Sequence, residues 1–227
     1  MSLAPTDYDF GVPANYAFAE KITCSNDEAR RMYVEAFGHM LNYNHEQAIA
    51  CFTKCTELDP NCAMAWWGIA YCLSSSYNWS AGLGPGYDAI SQAVSLKDHC
   101  SELEQDLIMA LSKRHTKEAR DNANPAALNM GNSPELNQAF ADAMAPLYEK
   151  YSGDLDVTAV YVEALMNLNP WTLWNKDAST GEITPVDDST LLLIEVMEEA
   201  FDNVPGCLLY TSPSPRDMRR SRMPSSA

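Results

Sequence analysis

The chain has 227 residues and a formal net charge of −16, and 46% of its residues are hydrophobic. A nucleic-acid footprint needs clustered Lys and Arg, and an anionic bilayer repels an acidic chain, so the composition argues against both partners. No stretch reaches the roughly 18 apolar residues of a spanning helix, and the first residues lack the basic start and apolar run of a secretion signal. We therefore expect a soluble, cytoplasmic protein with reduced cysteines.

Apolar residues recur at intervals of three and four, which predicts helices and no strand ladder. Ser25-x-x-Glu28 predicts a capping box at the start of a helix that runs to about Asn42. Pro60 ends the next helix, because proline disfavours helical geometry in the residue before it. The predicted helices after the first are Glu46–Leu58, Cys62–Leu73, Tyr87–Leu96, Glu102–His115, Glu135–Tyr151, Asp156–Asn169 and Ser189–Asn203.

The helices repeat with a period of 34 residues. At this offset Tyr33 coincides with Trp67, Ala36 with Ala70, and Phe37 with Tyr71. A helix–turn–helix unit of about this length is the period of tetratricopeptide repeats. The sequence therefore predicts a run of helical hairpins.

The segment "NHEQAIACFTKCTELDP" resembles the second helix of a tetratricopeptide repeat, and "LDPNCAMAWWG" and "NPWTLW" resemble large soluble members of that family without a settled function. The resemblance extends over about residues 27–204 and implies an all-α fold, a right-handed α–α superhelix. Small and large side chains alternate where two helices cross, which lets the helices approach closely. The residues that carry the repeat pattern are Ala36, Ala48, Phe52, Cys55 (where the family usually has Ala), Pro60, Trp66, Ala70 and Leu73.

The chain divides into three predicted parts: an N-terminal arm over residues 1–24, a tetratricopeptide-like domain over residues 25–206, and a tail over residues 207–227. The tail, "CLLYTSPSPRDMRRSRMPSSA", is basic and rich in Ser and Pro, unlike everything before it. It resembles the translation of a sequencing adapter, so we exclude it from the fold. On this interpretation the native sequence reads to about Gly206 and continues in the native gene.

An aromatic stripe is the main candidate binding site. Its residues recur at i, i+4 and i+7 on two helices one repeat apart: Tyr33, Phe37, Met40, Trp67, Tyr71 and Ser74. The family resemblance implies that these positions line a concave groove suited to an extended or helical peptide. The alternative is that the stripe is core, covered by the protein's own chain. The covering segment would then be the loop at Trp79 or the arm residues Tyr8, Phe10, Tyr16 and Phe18.

Other candidate chemistry is weaker. Cys51 and Cys55 lie one helical turn apart, but zinc sites favour two tight ligand pairs and no second pair exists, so we expect small buried thiols and no metal or other cofactor. The "GLGPG" stretch at residues 82–86 lacks the preceding strand and following Lys of a phosphate-binding loop. No Ser/His/Asp pattern stands out, so we predict no enzyme and no catalytic residue.

These observations predict a protein-interaction scaffold that binds a protein or peptide partner, with basic segments favoured by the acidity of the chain. Two alternatives stay open. One is an α-helical enzyme or metal-binding protein whose decisive residues follow Gly206. The other is a structural helical module whose groove is filled by its own chain.

Overall fold

The structure is a computed structural model of the chain, and it describes residues 21–78, 85–121 and 133–203. Most of these residues are helical, which confirms the predicted predominance of helix. The helices are α1 Asp27–Leu41, α2 His45–Leu58, α3 Ala63–Cys72, α4 Pro85–Leu96, α5 Glu102–Ser112, α6 Lys117–Asp121, α7 Pro134–Lys150, α8 Leu155–Met166 and α9 Asp188–Asn203. A 3₁₀ turn at Lys97–His99 follows α4.

One antiparallel hairpin interrupts the helical pattern. Strands β1 (Trp174–Lys176) and β2 (Ile183–Pro185) pair with Asn175 opposite Thr184. The prediction that the chain contains no strand was therefore wrong for this segment. Strands of three residues are too short to show an alternating apolar pattern. The turn between them is stabilised by the Asp177 carboxylate, which accepts hydrogen bonds from the Ser179 and Thr180 amides at 2.7 Å.

The first helix begins one residue later than the predicted capping box requires. Asn26 is the N-cap, and its side-chain oxygen accepts from the Ala29 amide at 2.7 Å. Ser25 instead donates its backbone N–H to the Asp59 carboxylate. The predicted box at Ser25 was therefore wrong, because Asn caps a helix as well as Ser and the two residues are adjacent.

The chain forms two compact units. The described residues of the first are 21–75, 85–121 and 133–143, and those of the second are 76–78 and 144–203. In the first unit α1 packs on α2, α2 on α3, α3 on α4 and α4 on α5. In the second unit α8 packs on α9, and α9 also contacts β2.

The repeat-pattern residues occupy the packing surfaces of the first three helices. Ala36, Ala48 and Ala70 are fully buried, as are Phe52 and Cys55. Trp66 and Leu73 are half-buried, and Pro60 is exposed just after the end of α2. These placements are those expected where small residues let two helices approach.

Gly68 gives the tightest test of this packing. A Cβ built on Gly68 would lie 2.4–2.6 Å from ring atoms of Phe52, which is itself fully buried. Glycine to alanine in a helix normally stabilises by about 1 kcal/mol. Here we expect Gly68→Ala to lower the free energy of unfolding by about 1–3 kcal/mol, because the added methyl group overfills the core and displaces the Phe52 ring.

Urea unfolding of Gly68→Ala measures this effect, and Phe52→Leu provides the matched background. With the ring removed, the same Gly68→Ala change should become neutral or stabilising. An equal loss of stability in both backgrounds would show that Phe52 does not impose the requirement for glycine.

Within the described residues, no helix combines the length and apolar character needed to cross a bilayer.

Candidate functional site

All six stripe residues are buried. Their exposures run from 0% for Tyr33 to 4% for Tyr71. Tyr33 packs edge-on against Phe52, with ring centroids 5.4 Å apart, and Trp67 stacks on Tyr71 at 5.1 Å. The Trp67 indole N–H donates to the Leu107 carbonyl at 3.1 Å.

This burial agrees with the core interpretation of the stripe: Tyr33, Phe37, Met40, Trp67, Tyr71 and Ser74 present almost no surface in this conformation. Their role as a groove stays a prediction, and a partner could reach them only if the chain opened. The segments proposed to cover them, the arm and the Trp79 loop, lie outside the described residues, as does the tail at 207–227.

Ser74 belongs to a buried polar cluster that the sequence did not indicate. Its hydroxyl lies 2.8 Å from His115 Nε2 and donates to the Ala70 carbonyl at 3.0 Å. The hydroxyl carries one proton, so it donates to the Ala70 carbonyl when His115 is protonated on Nε2 and to Nε2 in the other tautomer of the ring. Nδ1 of His115 has no hydrogen-bond partner among the described residues, and it faces Gly86 so closely that a Cβ there would lie 2.6 Å away.

The burial of this pair decides what it can do. Ser74 and His115 are each 3% exposed, so neither side chain faces solvent in this conformation. The cluster therefore joins the end of α3 to the segment after α5 as a structural contact.

Burial, reinforced by the neighbouring Arg114 charge, lowers the pKa of His115 from 6.5 to about 4. An unfolded chain takes up this proton near pH 6.5, but the folded chain resists it until about pH 4. Stability is therefore intact above pH 6.5 and falls as the pH drops towards 4, by up to about 3 kcal/mol.

His115→Gln tests this dependence, because the glutamine amide can donate to Ser74 but does not titrate. We expect the stability advantage of the native chain over the variant to shrink by about 2–3 kcal/mol between pH 7 and pH 4 in urea unfolding. Burial also lowers the pKa of His39, which makes the unfolding free energy of both proteins depend on pH in the same way. Subtracting one unfolding free energy from the other cancels this shared contribution. If the difference in unfolding free energy between the native chain and His115→Gln does not change with pH, the lowered pKa of His115 is contradicted.

Arg114 is a second buried polar residue beside this cluster. Its guanidinium donates to the Ser75 carbonyl at 2.6 Å and to the Asn137 side-chain oxygen at 3.0 Å, and it lies over the Phe140 ring, 5.6 Å from the centroid. These contacts link the segments after α3 and α5 with α7. These contacts could not be predicted from local sequence patterns, because the partners lie 23 and 39 residues from Arg114.

The cysteines are packed as small apolar side chains. Cys51, Cys55 and Cys62 are fully buried, and Cys55 donates to the Ala29 carbonyl at 3.3 Å. A hydrogen bond with Cys55, together with burial, raises the pKa of Cys62, which keeps this thiol protonated, whereas metal ligation needs a thiolate. Among residues 21–78, 85–121 and 133–203, no three His, Cys, Asp or Glu side chains converge as metal ligands.

The second unit presents an aromatic pair, which we call the Trp171 platform: the exposed Trp171 and the half-buried Tyr77. Trp171 is 70% exposed and stacks on Tyr77 with ring centroids 5.2 Å apart. Asn169, two residues earlier, donates to the Asp187 carboxylate at 2.8 Å and to the Ser189 hydroxyl at 3.0 Å. The turn that carries Trp171 is therefore tied to the N-terminus of α9.

The first turns of α9 add exposed apolar surface. Leu191 is 47% and Leu192 39% exposed, whereas Leu193 faces the core. Sequence reasoning missed this surface because "NPWTLW" was interpreted only as a separator and a family resemblance. The available signal was the Asn169-Pro170 dipeptide, which favours a turn and so places the following tryptophan at the surface.

Comparisons with protein-family models, with curated proteins and with solved structures give no match to this chain. The functional interpretation therefore rests on the residues and contacts described above.

Proposed function

We propose that the chain is a protein-interaction module built from tetratricopeptide-like helical hairpins arranged in a right-handed superhelix. The support comes from the 34-residue spacing of like residues and from the buried small side chains where α1, α2 and α3 pack. A repeat of this kind buries its apolar faces against its neighbours and leaves an extended surface for binding.

The observation that carries the binding function is the exposed apolar surface of the second unit. Trp171, Leu191 and Leu192 are three large hydrophobic side chains that the fold leaves in solvent. Tryptophan is enriched among the residues that dominate binding energy, and the turn that carries Trp171 is bonded through Asn169 to Asp187 and Ser189 at the start of α9. The partner surface we propose is therefore this one, and not the buried stripe.

A second candidate is a structural helical module without a groove ligand. Burial of the stripe favours it, because the aromatic side chains that would line a groove are already packed. The two candidates differ in whether the exposed surface of the second unit has a protein partner.

Affinity capture with the full chain separates the candidates. Leu192→Gln and Met109→Gln form a matched pair that adds no charge, since Leu192 is 39% and Met109 40% exposed and the two residues lie in different units. We expect a stoichiometric partner that Leu192→Gln loses and Met109→Gln retains, with both variants as stable as the native chain. Equal capture by both variants, or no stoichiometric partner, would contradict the proposal.

A further inference from the structure

We infer that the Trp171 platform receives a cationic side chain, arginine or lysine, from a basic segment of a protein partner. The inference rests on the proposed function and names the chemistry of its partner.

Trp171 contributes little to folding. Its φ of +64° is in the left-handed region, which costs a non-glycine residue about 1–2 kcal/mol. Because the side chain is 70% exposed, its burial offsets little of this conformational cost. A large aromatic side chain held in a strained turn and left in solvent is the pattern found at functional sites.

The platform is held in place before any ligand arrives. The Thr172 amide donates to the Asn169 carbonyl at 3.1 Å, and the Val186 amide to the Leu173 carbonyl at 3.0 Å. Stacking on Tyr77 occupies one face of the indole and leaves the other to solvent. A preorganised aromatic face loses little conformational entropy on binding.

The surroundings select a cation. Residues 144–203 contain twelve Asp and Glu against two Lys. One of these carboxylates, Asp187, is fixed by a hydrogen bond from Asn169, and its hydrogen bond from Ser189 lowers its pKa, so it is ionised at neutral pH. Asp188 beside it is exposed as well.

Tryptophan is the best aromatic acceptor for cation–π contacts, and a fixed carboxylate close to the same turn adds Coulomb attraction. The described residues contain cation–π contacts at Phe140, Tyr87 and Tyr151, but none at Trp171. The excess of negative charge on residues 144–203 attracts basic segments and repels acidic ones, which commits the platform to a basic partner segment.

Calorimetric titration of the full chain with a short arginine-containing peptide tests this inference, with the same peptide carrying citrulline in place of each arginine as the probe control. We expect the arginine peptide to bind, the citrulline peptide to bind at least about tenfold more weakly, and Trp171→Gly to lose a similar factor. Trp171→Phe should retain an intermediate affinity. Met109→Ala should match the native chain.

Stability separates binding from folding. Trp171→Gly removes the strained side chain, and glycine adopts positive φ freely, so its unfolding free energy should equal or exceed that of the native chain. Weaker binding by an equally stable variant supports the inference. Equal affinity for both peptides, or undiminished binding by Trp171→Gly, overturns it.

The chain's own tail is the competing occupant, because it carries Arg216, Arg219, Arg220 and Arg222. If the peptide binds only after these four arginines are replaced by glutamine, the tail occupies the Trp171 platform in the native chain. That result would overturn a partner segment as the occupant. If the arginine peptide does not bind but Leu192→Gln still loses a captured partner, the cationic chemistry alone is overturned. Peptide binding without any captured partner overturns the proposed function instead.

Discussion

Replacing Trp67 by alanine is expected to lower the free energy of unfolding by about 3–5 kcal/mol. The indole is 1% exposed, stacks on Tyr71 at 5.1 Å and donates to the Leu107 carbonyl at 3.1 Å. Truncation removes the buried apolar area, leaves a cavity between α3 and α5, and leaves the indole's hydrogen bond unmade. Urea unfolding followed by far-UV circular dichroism measures the change.

Trp171→Ala is the matched control for Trp67→Ala. It removes the same side chain from a site that is 70% exposed, so we expect a change within about 0.5 kcal/mol. A small effect at Trp67 would mean that this residue is not part of the core, and the groove interpretation of the stripe would regain support.

The second large effect is expected at Glu104. Its carboxylate is 2% exposed and accepts from the Thr23 amide and hydroxyl at 2.6 Å and from the Ser101 amide and hydroxyl at 2.8 Å. Glutamine keeps one acceptor oxygen and turns the other into a donor that faces N–H and O–H groups. We expect Glu104→Gln to destabilise by about 2–4 kcal/mol.

Glu102→Gln controls for the charge lost near the N-terminus of α5. Glu102 is exposed in the same first turn, so removing its charge should cost no more than about 1 kcal/mol, the usual upper value for an exposed carboxylate near a helix N-terminus. Equal losses in the two variants would assign the effect to the helix dipole and contradict the role of the four hydrogen bonds.

Much of the secondary structure could be predicted because its determinants are local. Periodic apolar residues mark most helices, and Pro60 fixes the end of α2 at Leu58. The failures are local as well. Asn26 competes with Ser25 for the N-cap, and the true capping box is Ser101 with Glu104. The β-hairpin depends on an Asp177 turn that apolar periodicity does not detect.

The candidate site could not be predicted to the same degree, because exposure depends on tertiary packing. Trp67 and Trp171 are the same residue type in the sequence, yet one is 1% and the other 70% exposed. The pairing of Ser74 with His115 spans 41 residues and follows from how α3 and α5 end beside each other. Spacing along one helix cannot supply such information.

The aromatic side chain that contacts the partner is proposed to be Trp171 and not one of the buried stripe. Nuclear magnetic resonance of the isotope-labelled full chain tests this by following the indole N–H resonances while the arginine peptide is added. We expect the Trp171 resonance to shift in proportion to binding, while the resonance of Trp67, whose indole N–H is bonded to the Leu107 carbonyl, does not move. A shift at Trp67 with Trp171 unchanged would show that the peptide reaches the stripe instead of Trp171.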